Sequence, residues 1–238
     1  MAKTAQLELP LVLPAQAQKH VTVNEALARL DAVAQLRVLS SVLTTPPITG
    51  DDGAGYIIPA GAAGDWAGKA GKLAVRSNGG WVFVTPRSGW RAWDESRAGT
   101  LFFDGVGWVP DALAVSPHGA GTAWQVIEFD HNVTAGATNA TAVAIPSHSQ
   151  LIGVTGRVVS ALSGTGLTGW RIGVAGADNR YGSGLGKGVN AYLVGLSGSP
   201  VTYYAATPLL LTGEGGTFSS GTVRLALHLL VLQPPREI

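Results

Sequence analysis

The second half of the chain carries the feature that most constrains its fold, a train of short segments with the composition of β-strands. The segments lie about ten residues apart, and glycine, serine and asparagine separate them. They are residues 125–130, 141–145, 151–160, 170–175, 189–196, 201–204, 208–212 and 222–232. Short strands joined by turns at this spacing are typical of two packed antiparallel sheets. Residues 124–238 are therefore predicted to form an antiparallel β-sandwich, similar to a jelly roll.

The last segment predicts which of its side chains fill the core. Its residues alternate in polarity, and a period of two places the two sets on opposite faces of a strand. One set is Val223, Leu225, Leu227 and Leu229, and the other is Arg224, Ala226 and His228. Residues 230–232 are then apolar without a break. This run predicts that the end of the strand is buried on both faces, at a contact between subunits.

One segment near the N-terminus has the spacing of a helix. Between residues 15 and 39, apolar side chains recur at intervals of three and four, which predicts a single apolar stripe. The stripe consists of Val23, Leu27, Leu30, Ala34 and Val38. Pro46 and Pro47 cannot continue a helix, so it ends before them. The stripe either packs on its own domain or oligomerises as a short parallel bundle.

Residues 47–110 change in composition to glycine and tryptophan, and two of their segments resemble variants of one hairpin. Residues 73–84 turn at Asn78-Gly79, and residues 101–109 turn at Asp104-Gly105. Both dipeptides tolerate the positive φ angles of tight hairpin turns. A module of this size needs bulky rings to build a core, so its tryptophans are assigned to the core, with a sugar-binding platform as the alternative. They are Trp66, Trp81, Trp90, Trp93 and Trp108.

These patterns predict a mainly β protein with an N-terminal helix. Residues 1–46 hold the helix, which serves oligomerisation or attachment, and residues 47–110 form the small antiparallel β module. Residues 111–123, rich in proline, glycine, alanine and serine, are the expected linker to the C-terminal sandwich.

Charge and cysteine content exclude several classes of function. Sixteen basic and fifteen acidic residues give a formal charge of +1, so nucleic acid is not an expected partner. Charged residues make up only 13% of the chain, which favours burial in an oligomer. The absence of cysteine excludes thiolate metal sites and cysteine nucleophiles. Neither a secretory signal nor an apolar run of about 18 residues is recognisable, so membrane insertion is not expected.

No motif predicts catalysis, a metal or a cofactor. Residues 164–169, GTGLTG, match the GxGxxG pattern, but a strand follows them where phosphate binding requires the start of a helix. The five histidines lack metal-ligand spacing. Carboxylates are few in the sandwich for a glycosidase pair: Glu128, Asp130, Asp178, Glu214 and the terminal Glu237. The chain is expected not to be an enzyme.

One polar constellation has the chemistry of a sugar site. Sugars are held by planar polar groups that hydrogen-bond adjacent hydroxyls, and by aromatic rings that stack on the sugar. A glycine-rich loop after the strand at Trp170, together with a later tyrosine pair, supplies both kinds. The candidate ligand-binding residues are Asp178, Asn179, Arg180, Tyr181, Lys187, Asn190, Tyr203 and Tyr204. In the alternative interpretation, Asp178 and Arg180 pair locally and the tyrosines belong to a core or an interface.

Specific motifs also resemble a known family. Residues 9–36, LPLVLPAQAQKHVTVNEALARLDAVAQL, and residues 64–96, GDWAGKAGKLAVRSNGGWVFVTPRSGWRAWDES, resemble a domain of unknown function. That domain occurs in tail-fibre and head-spike proteins of alphaproteobacterial prophages and gene transfer agents. Residues 145–234, with LIGVT, NRYGSGLG and TYYAATP, are similar to the sandwich that often follows it.

The resemblance implies a homotrimeric appendage of a phage-like particle. Its N-terminal part would contact other structural proteins of the particle, and its sandwich would bind a host cell-surface glycan such as capsular polysaccharide. The protein would be located in the virion or gene-transfer-agent particle, assembled in the bacterial cytoplasm and released by lysis. A purely structural trimeric adaptor and a polysaccharide depolymerase are the alternatives. The family supplies no catalytic residues to carry over.

Overall fold

A computed structural model describes residues 3–12 and 19–237. The chain divides into two compact units, the first comprising Met1–Gly121 with Pro235–Ile238 and the second Thr122–Pro234. The protein is mainly β with one α-helix near the N-terminus, as the sequence predicts. Within the described ranges, no helix is long and apolar enough to span a membrane.

The helix is shorter than its sequence pattern predicts. Helix α1 spans Lys19–Val33, and the predicted residues 15–18 lie outside the described part of the chain. Gln35 then adopts a left-handed φ of 53°, and Arg37–Val38 form strand β1. Val38 is therefore a buried strand residue and Ala34 follows the helix, so the prediction that both extend the helical stripe is wrong. Pairing with a neighbouring strand outweighs helix propensity at this end.

The first unit contains two small sheets. Its further strands are β2 (Gly55–Ile57), β3 (Leu73–Ser77), β4 (Gly80–Val84), β5 (Arg91–Asp94), β6 (Gly99–Phe103), β7 (Trp108–Pro110) and β8 (Ala112–Val115). One sheet has the order β2-β3-β4, and the other has the order β1-β5-β6-β7 with β1 parallel to β5. A 3-10 turn spans Gly64–Trp66.

Both predicted hairpins are present in this unit. In the first, Asn78 and Gly79 have φ angles of 49° and 76°, as a tight turn with two left-handed residues requires. In the second, the turn is longer than the Asp104-Gly105 dipeptide. The Asp104 carboxylate accepts hydrogen bonds from the backbone N–H groups of Val106 and Gly107, each at 2.9 Å. A short carboxylate thus closes this turn.

The tryptophans of the first unit mainly build its core. Trp66 is fully buried, and its ring centroid lies 5.2 Å from that of Trp81 in an edge-on arrangement. Trp90 and Trp108 pack against a second buried cluster. Trp93 differs, because 46% of it is exposed. The prediction of an aromatic core is therefore confirmed for the first four and not for Trp93.

The predicted linker, residues 111–123, is structured. Strand β8 occupies Ala112–Val115, and the N–H of Ser116 donates to the carbonyl of Ala120 across a turn at 2.8 Å. The last residues, Pro235–Ile238, belong to the first unit, whereas the sequence pattern assigns them to the sandwich. There the N–H of Arg236 donates to the carbonyl of His118 at 2.9 Å. Small residues and prolines suit turns, and the sequence does not reveal that such a segment also pairs as a strand.

The second unit is an eight-stranded sandwich. Its strands are β9 (Gly121–Asn132), β10 (Thr138–Ile145), β11 (Ser149–Ser163), β12 (Gly169–Val174), β13 (Ala177–Leu185), β14 (Tyr192–Tyr203), β15 (Thr207–Glu214) and β16 (Ser220–Gln233). One sheet contains β14, β11, β16 and β9 in that order, and the other has the order β10-β15-β12-β13.

The strand order of the second unit is that of a jelly roll. Strand β10 pairs with β15, β11 with β14 and β12 with β13, all antiparallel, and β9 neighbours β16. A long antiparallel ribbon, folded over on itself, produces this nesting of early with late strands. The predicted jelly-roll-like sandwich is thereby confirmed.

The core of the jelly roll lies between its two sheets. Val223, Leu225, Leu227 and Leu229 are all fully buried, as their alternation predicts. At the end of β16, however, Leu232 is 71% exposed within this single chain. The subunit contact predicted for that end stays a prediction.

Candidate functional site

The predicted polar loop is a bulged strand at the edge of a sheet. Strand β13 pairs with β12 through Ile172↔Gly182 and Val174↔Ala177, so four residues of β13, 178–181, lie opposite the single residue Gly173 of β12. The bulge folds closely over Gly173, where an added Cβ would overlap the carbonyl oxygen of Ala177. Edge bulges re-aim side chains and interrupt pairing, and they recur next to functional sites.

The bulge sends its side chains in different directions. Asn179 and Arg180 are exposed to solvent, whereas Tyr181 is buried in the core. Asp178 accepts a hydrogen bond from Nε of Arg171 on β12 at 2.9 Å, and another guanidinium nitrogen of Arg171 lies 2.8 Å from the same carboxylate oxygen. These four residues, of which Asn179 and Arg180 are exposed and Arg171 and Asp178 are half-buried, are here called the polar edge.

Two of the predicted ligand-binding residues are core residues. Tyr181 and Tyr203 are 2% and 8% exposed, and their hydroxyl oxygens lie 2.7 Å apart in a hydrogen bond between the sheets. Burial, and then the bond to Tyr203, raise the pKa of Tyr181 well above its usual value. The alternative interpretation applies to this pair, because both rings are buried and each hydroxyl finds its partner inside the core.

Three other predicted ligand-binding residues contact different parts of the jelly roll. The Lys187 ammonium donates to the carbonyl of Leu167 at 2.5 Å. Asn190 occupies a turn with a φ of 68°. Tyr204 is exposed and lies edge-on to His148, with ring centroids 6.4 Å apart. The structure thus brings together Asp178, Asn179 and Arg180 only.

The glycines of residues 164–169 have a structural role. A Cβ at Gly164 would overlap the carbonyl oxygen of Thr217, and a Cβ at Gly166 would lie 3.1 Å from the carbonyl oxygen of Gly215. Backbone hydrogen bonds join the same two segments, including the N–H of Thr217 to the carbonyl of Thr165 at 3.1 Å. These glycines permit close approach of two backbones, and strand β12 follows them directly, as the sequence predicts.

A second surface of the jelly roll was not anticipated as a site. The outer side of the sheet formed by β14, β11, β16 and β9 presents apolar side chains to solvent, here called the apolar face. They are Trp124 and Val126 on β9, Tyr192, Val194 and Leu196 on β14, and Leu232 on β16. Their exposed fractions run from 53% for Trp124 to 71% for Leu196 and Leu232. Monomeric soluble proteins rarely leave such a patch uncovered.

A shallow depression of about 260 Å³ lies within this face. Its rim includes Trp124, Val126, Val194 and Leu196, and its lining includes the backbones of Gly153 and Gly195. Two of its polar side chains satisfy each other, since Oγ1 of Thr155 lies 2.9 Å from Nε2 of His228. A lining of this kind suits apolar protein groups better than sugar hydroxyls, which require polar partners.

Charged side chains gather on the same sheet, at the end of the apolar face where Tyr192 lies. Arg224 donates two hydrogen bonds to the Asp130 carboxylate at 2.7 and 2.8 Å, and Glu128 lies 4.0 Å away. Arg157 stands over the ring of Tyr192 at 5.8 Å. The hydrogen bonds from Arg224 lower the pKa of Asp130. This charged end of the sheet therefore holds two cations and two anions.

Sequence reasoning missed Arg171, Trp124 and His228. Arg171 lies between apolar residues on β12, which predicts an outward side chain, but its pairing with Asp178 depends on the register across the bulge. Trp124 begins a segment in which both alternating sets contain apolar residues, so the pattern does not say which set faces solvent. Among the described residues, no group of His, Asp and Glu has the geometry to hold a metal ion.

Comparison with known proteins adds a partial match. Residues 23–109 match the model of a family described as a protein of unknown function, DUF2793. This confirms the coarser part of the predicted resemblance, a domain of unknown function in the N-terminal part. No curated protein matches the sequence. A chain of the cyanophage Pam1 capsid asymmetric unit is 19% identical over 50% of this chain and 92% of that chain, with a TM-score of 0.34. A TM-score this low carries no conclusion about function.

Proposed function

We propose that this chain is a structural appendage protein, a tail fibre or head spike of a phage or gene-transfer-agent particle. Its jelly roll binds a polysaccharide on the surface of the bacterial host, and its N-terminal part contacts other structural proteins of the particle. The mature assembly is a homotrimer. The motif resemblance of residues 9–36 and 64–96 supports the particle assignment, and the DUF2793 match covers much of the same region.

The observation that carries the sugar-binding part is the polar edge. The bulge on β13 exposes Asn179 and Arg180, and the ion pair between Arg171 and Asp178 holds further planar donors and acceptors beside them. Amide, guanidinium and carboxylate groups are the groups that bind pairs of sugar hydroxyls. A site on a strand is also held more rigidly than one on a loop. Binding by one copy is weak, and the many copies of a particle raise the avidity.

The proposed activity is binding without cleavage. Glycoside hydrolysis requires one carboxylic acid that stays protonated near neutral pH and a second carboxylate facing it. Glu128 and Asp130 lie near one cation, Arg224, whose hydrogen bonds lower the pKa of Asp130. The Glu214 carboxylate accepts from the N–H of Gly184 at 3.0 Å. These contacts engage the carboxylates in structural bonds, which supports a role without catalysis.

Glycan binding is tested with purified full-length protein on an array of bacterial capsular and O-antigen polysaccharides. The wild type is compared with an Asn179→Ala, Arg180→Ala double variant, and with Arg29→Ala as a control for loss of an exposed cation on α1. We expect the wild type and the control to bind the same glycan and the double variant to lose it. Binding that survives in the double variant would place the site elsewhere.

A wild type that is folded and binds no polysaccharide would favour the structural adaptor. Release of reducing ends from a bound polysaccharide would instead support the depolymerase. The particle assignment is tested separately, by mass spectrometry of phage-like particles purified from induced cultures of the source bacterium. Absence of the chain from those particles would refute it.

A further inference from the structure

We propose that the apolar face of the jelly roll is the surface through which copies of this chain associate. The inference concerns the surface, and it holds whether or not the polar edge binds a glycan. The sequence predicts oligomerisation through the apolar stripe of the helix. The main contact between copies is instead assigned to the apolar face.

The apolar face has the area of a protein interface. The apolar face consists of Trp124, Val126, Tyr192, Val194, Leu196 and Leu232. Each exposes on the order of 100 Å², so together they present roughly 600 Å², the upper end for the largest apolar patch of a monomer. A standard protein interface buries about 800 Å² on each partner. With the charged residues around it, the apolar face is large enough to form one.

Polarity is distributed over the sheet as it is over a protein interface. The centre of a protein interface is depleted in charge and enriched in aromatic residues, and its rim is polar. Here Trp124 and the depression form an uncharged centre, and the Thr155 and His228 side chains in it already bond to each other. Covering this centre with another apolar surface therefore leaves neither of these two groups without a partner.

Charge complementarity selects a second copy of this chain as the occupant. The charged end of the sheet carries Arg157 and Arg224 together with Glu128 and Asp130. Its formal charge is zero, so two copies of the sheet meet without net repulsion, and the cations of one copy can face the anions of another. A strongly acidic or basic partner would gain no attraction from this surface, because its net charge is zero.

By contrast, α1 offers a smaller surface for self-association. Its exposed apolar side chains include Val23 and Leu30, whereas Leu27 is half-buried. The predicted stripe also loses Val38 to strand β1. A coiled coil of this length is near the lower limit of stability.

The test is the mass of the full-length protein in solution, measured by light scattering and sedimentation at micromolar concentrations. We expect an oligomer for the wild type and, for a Val194→Asp, Leu196→Asp double variant, dissociation with at least about a 30-fold weaker association constant. Val126→Asp, on a different strand of the same face, gives an independent variant. Val106→Asp, at a residue 71% exposed in the first unit, is the matched control and leaves the mass unchanged.

Crosslinking gives a second readout, because the chain contains no cysteine. In a Val194→Cys variant, a short bismaleimide is expected to join copies at low protein concentration, whereas a Val106→Cys variant stays unlinked. Circular dichroism checks that each variant keeps its fold.

Three outcomes would overturn the inference. In the first, the wild type is a monomer, which would assign the apolar face to a different partner. In the second, the oligomer keeps its mass when the face carries the Asp substitutions. In the third, the oligomer dissociates only in a Val23→Asp, Leu30→Asp variant of α1. Loss of glycan binding without a change in mass affects only the proposed function.

Discussion

Replacing Tyr181 tests whether the bulge on β13 anchors the core of the jelly roll. Tyr181→Phe removes the hydroxyl that bonds Tyr203 at 2.7 Å, and it leaves the second hydroxyl in a site only 8% exposed. A buried polar group without its partner costs about 1 to 3 kcal/mol of unfolding free energy. Tyr181→Ala also removes a ring that is 2% exposed, and truncation of a buried aromatic side chain costs about 3 to 5 kcal/mol.

The neighbouring side chain provides the matched control. Arg180 is exposed, so Arg180→Ala is expected to change the unfolding free energy by less than about 0.5 kcal/mol. A domain of this size is stable by about 5 to 15 kcal/mol, which makes the Tyr181→Ala loss severe.

The assay is urea unfolding followed by far-UV circular dichroism, arranged as a double-mutant cycle. Tyr181→Phe and Tyr203→Phe each lose stability, and the double variant loses less than the sum, because both partners of the bond are then apolar. The expected coupling is about 1 kcal/mol. Additive losses would refute the buried hydroxyl bond. A Tyr181→Ala variant as stable as Arg180→Ala would refute the inward orientation of the ring.

Three further predictions concern other parts of the chain. Gly164→Ala is expected to destabilise the jelly roll by about 1 to 3 kcal/mol, since a Cβ there would overlap the Thr217 carbonyl. Gly188→Ala is the control, because a Cβ at residue 188 meets nothing within 4 Å. Equal unfolding midpoints for the two variants would contradict this prediction. Asp31 is buried and accepts from the Thr4 hydroxyl at 2.7 Å and the Leu7 N–H at 2.6 Å. Burial raises the pKa of Asp31, but these hydrogen bonds outweigh burial and lower the pKa. Because the same bonds join residues 4 and 7 to α1, Asp31→Ala is expected to speed proteolysis near residues 3–12. An unchanged cleavage rate would refute the role of Asp31 in holding this segment. Burial lowers the pKa of His131, which favours the neutral imidazole in the folded state. Its contribution to the unfolding free energy is therefore intact above the unfolded pKa of about 6.5 and is lost as pH falls below that value. A His131→Gln variant whose stability has the same pH slope as the wild type would exclude this contribution.

Local rules determined much of the fold from the sequence. The period of two in β16 assigned Val223 and Leu225 to the core, because side chains alternate across any strand. The Asn78-Gly79 turn followed from the φ angles that only a few residue types adopt readily. The jelly-roll class followed from the spacing of short strands, since few folds accommodate so many of them.

The candidate site was less accessible to the same reasoning. Asp178, Asn179 and Arg180 were recognised by their chemistry, and the structure places all three in one bulge of β13. Tyr181 was grouped with them because its neighbours in sequence are polar. A bulge changes the face on which each following side chain lies, and the sequence of β13 alone does not reveal where the extra residues fall.

Pairing between distant segments decided the remaining features. Val38 belongs to a strand because β5 hydrogen-bonds β1, although its local pattern suits a helix. Asp178 meets Arg171 through the register of two strands, and Trp124 meets solvent because the other face of β9 packs on the core. The sequence by itself determined that the second unit is a sandwich of short antiparallel strands, and it determined which side chains of β16 fill the core. The tertiary structure decided which of two possible faces points inward, because burial is a property of the packed sheets and not of any one strand.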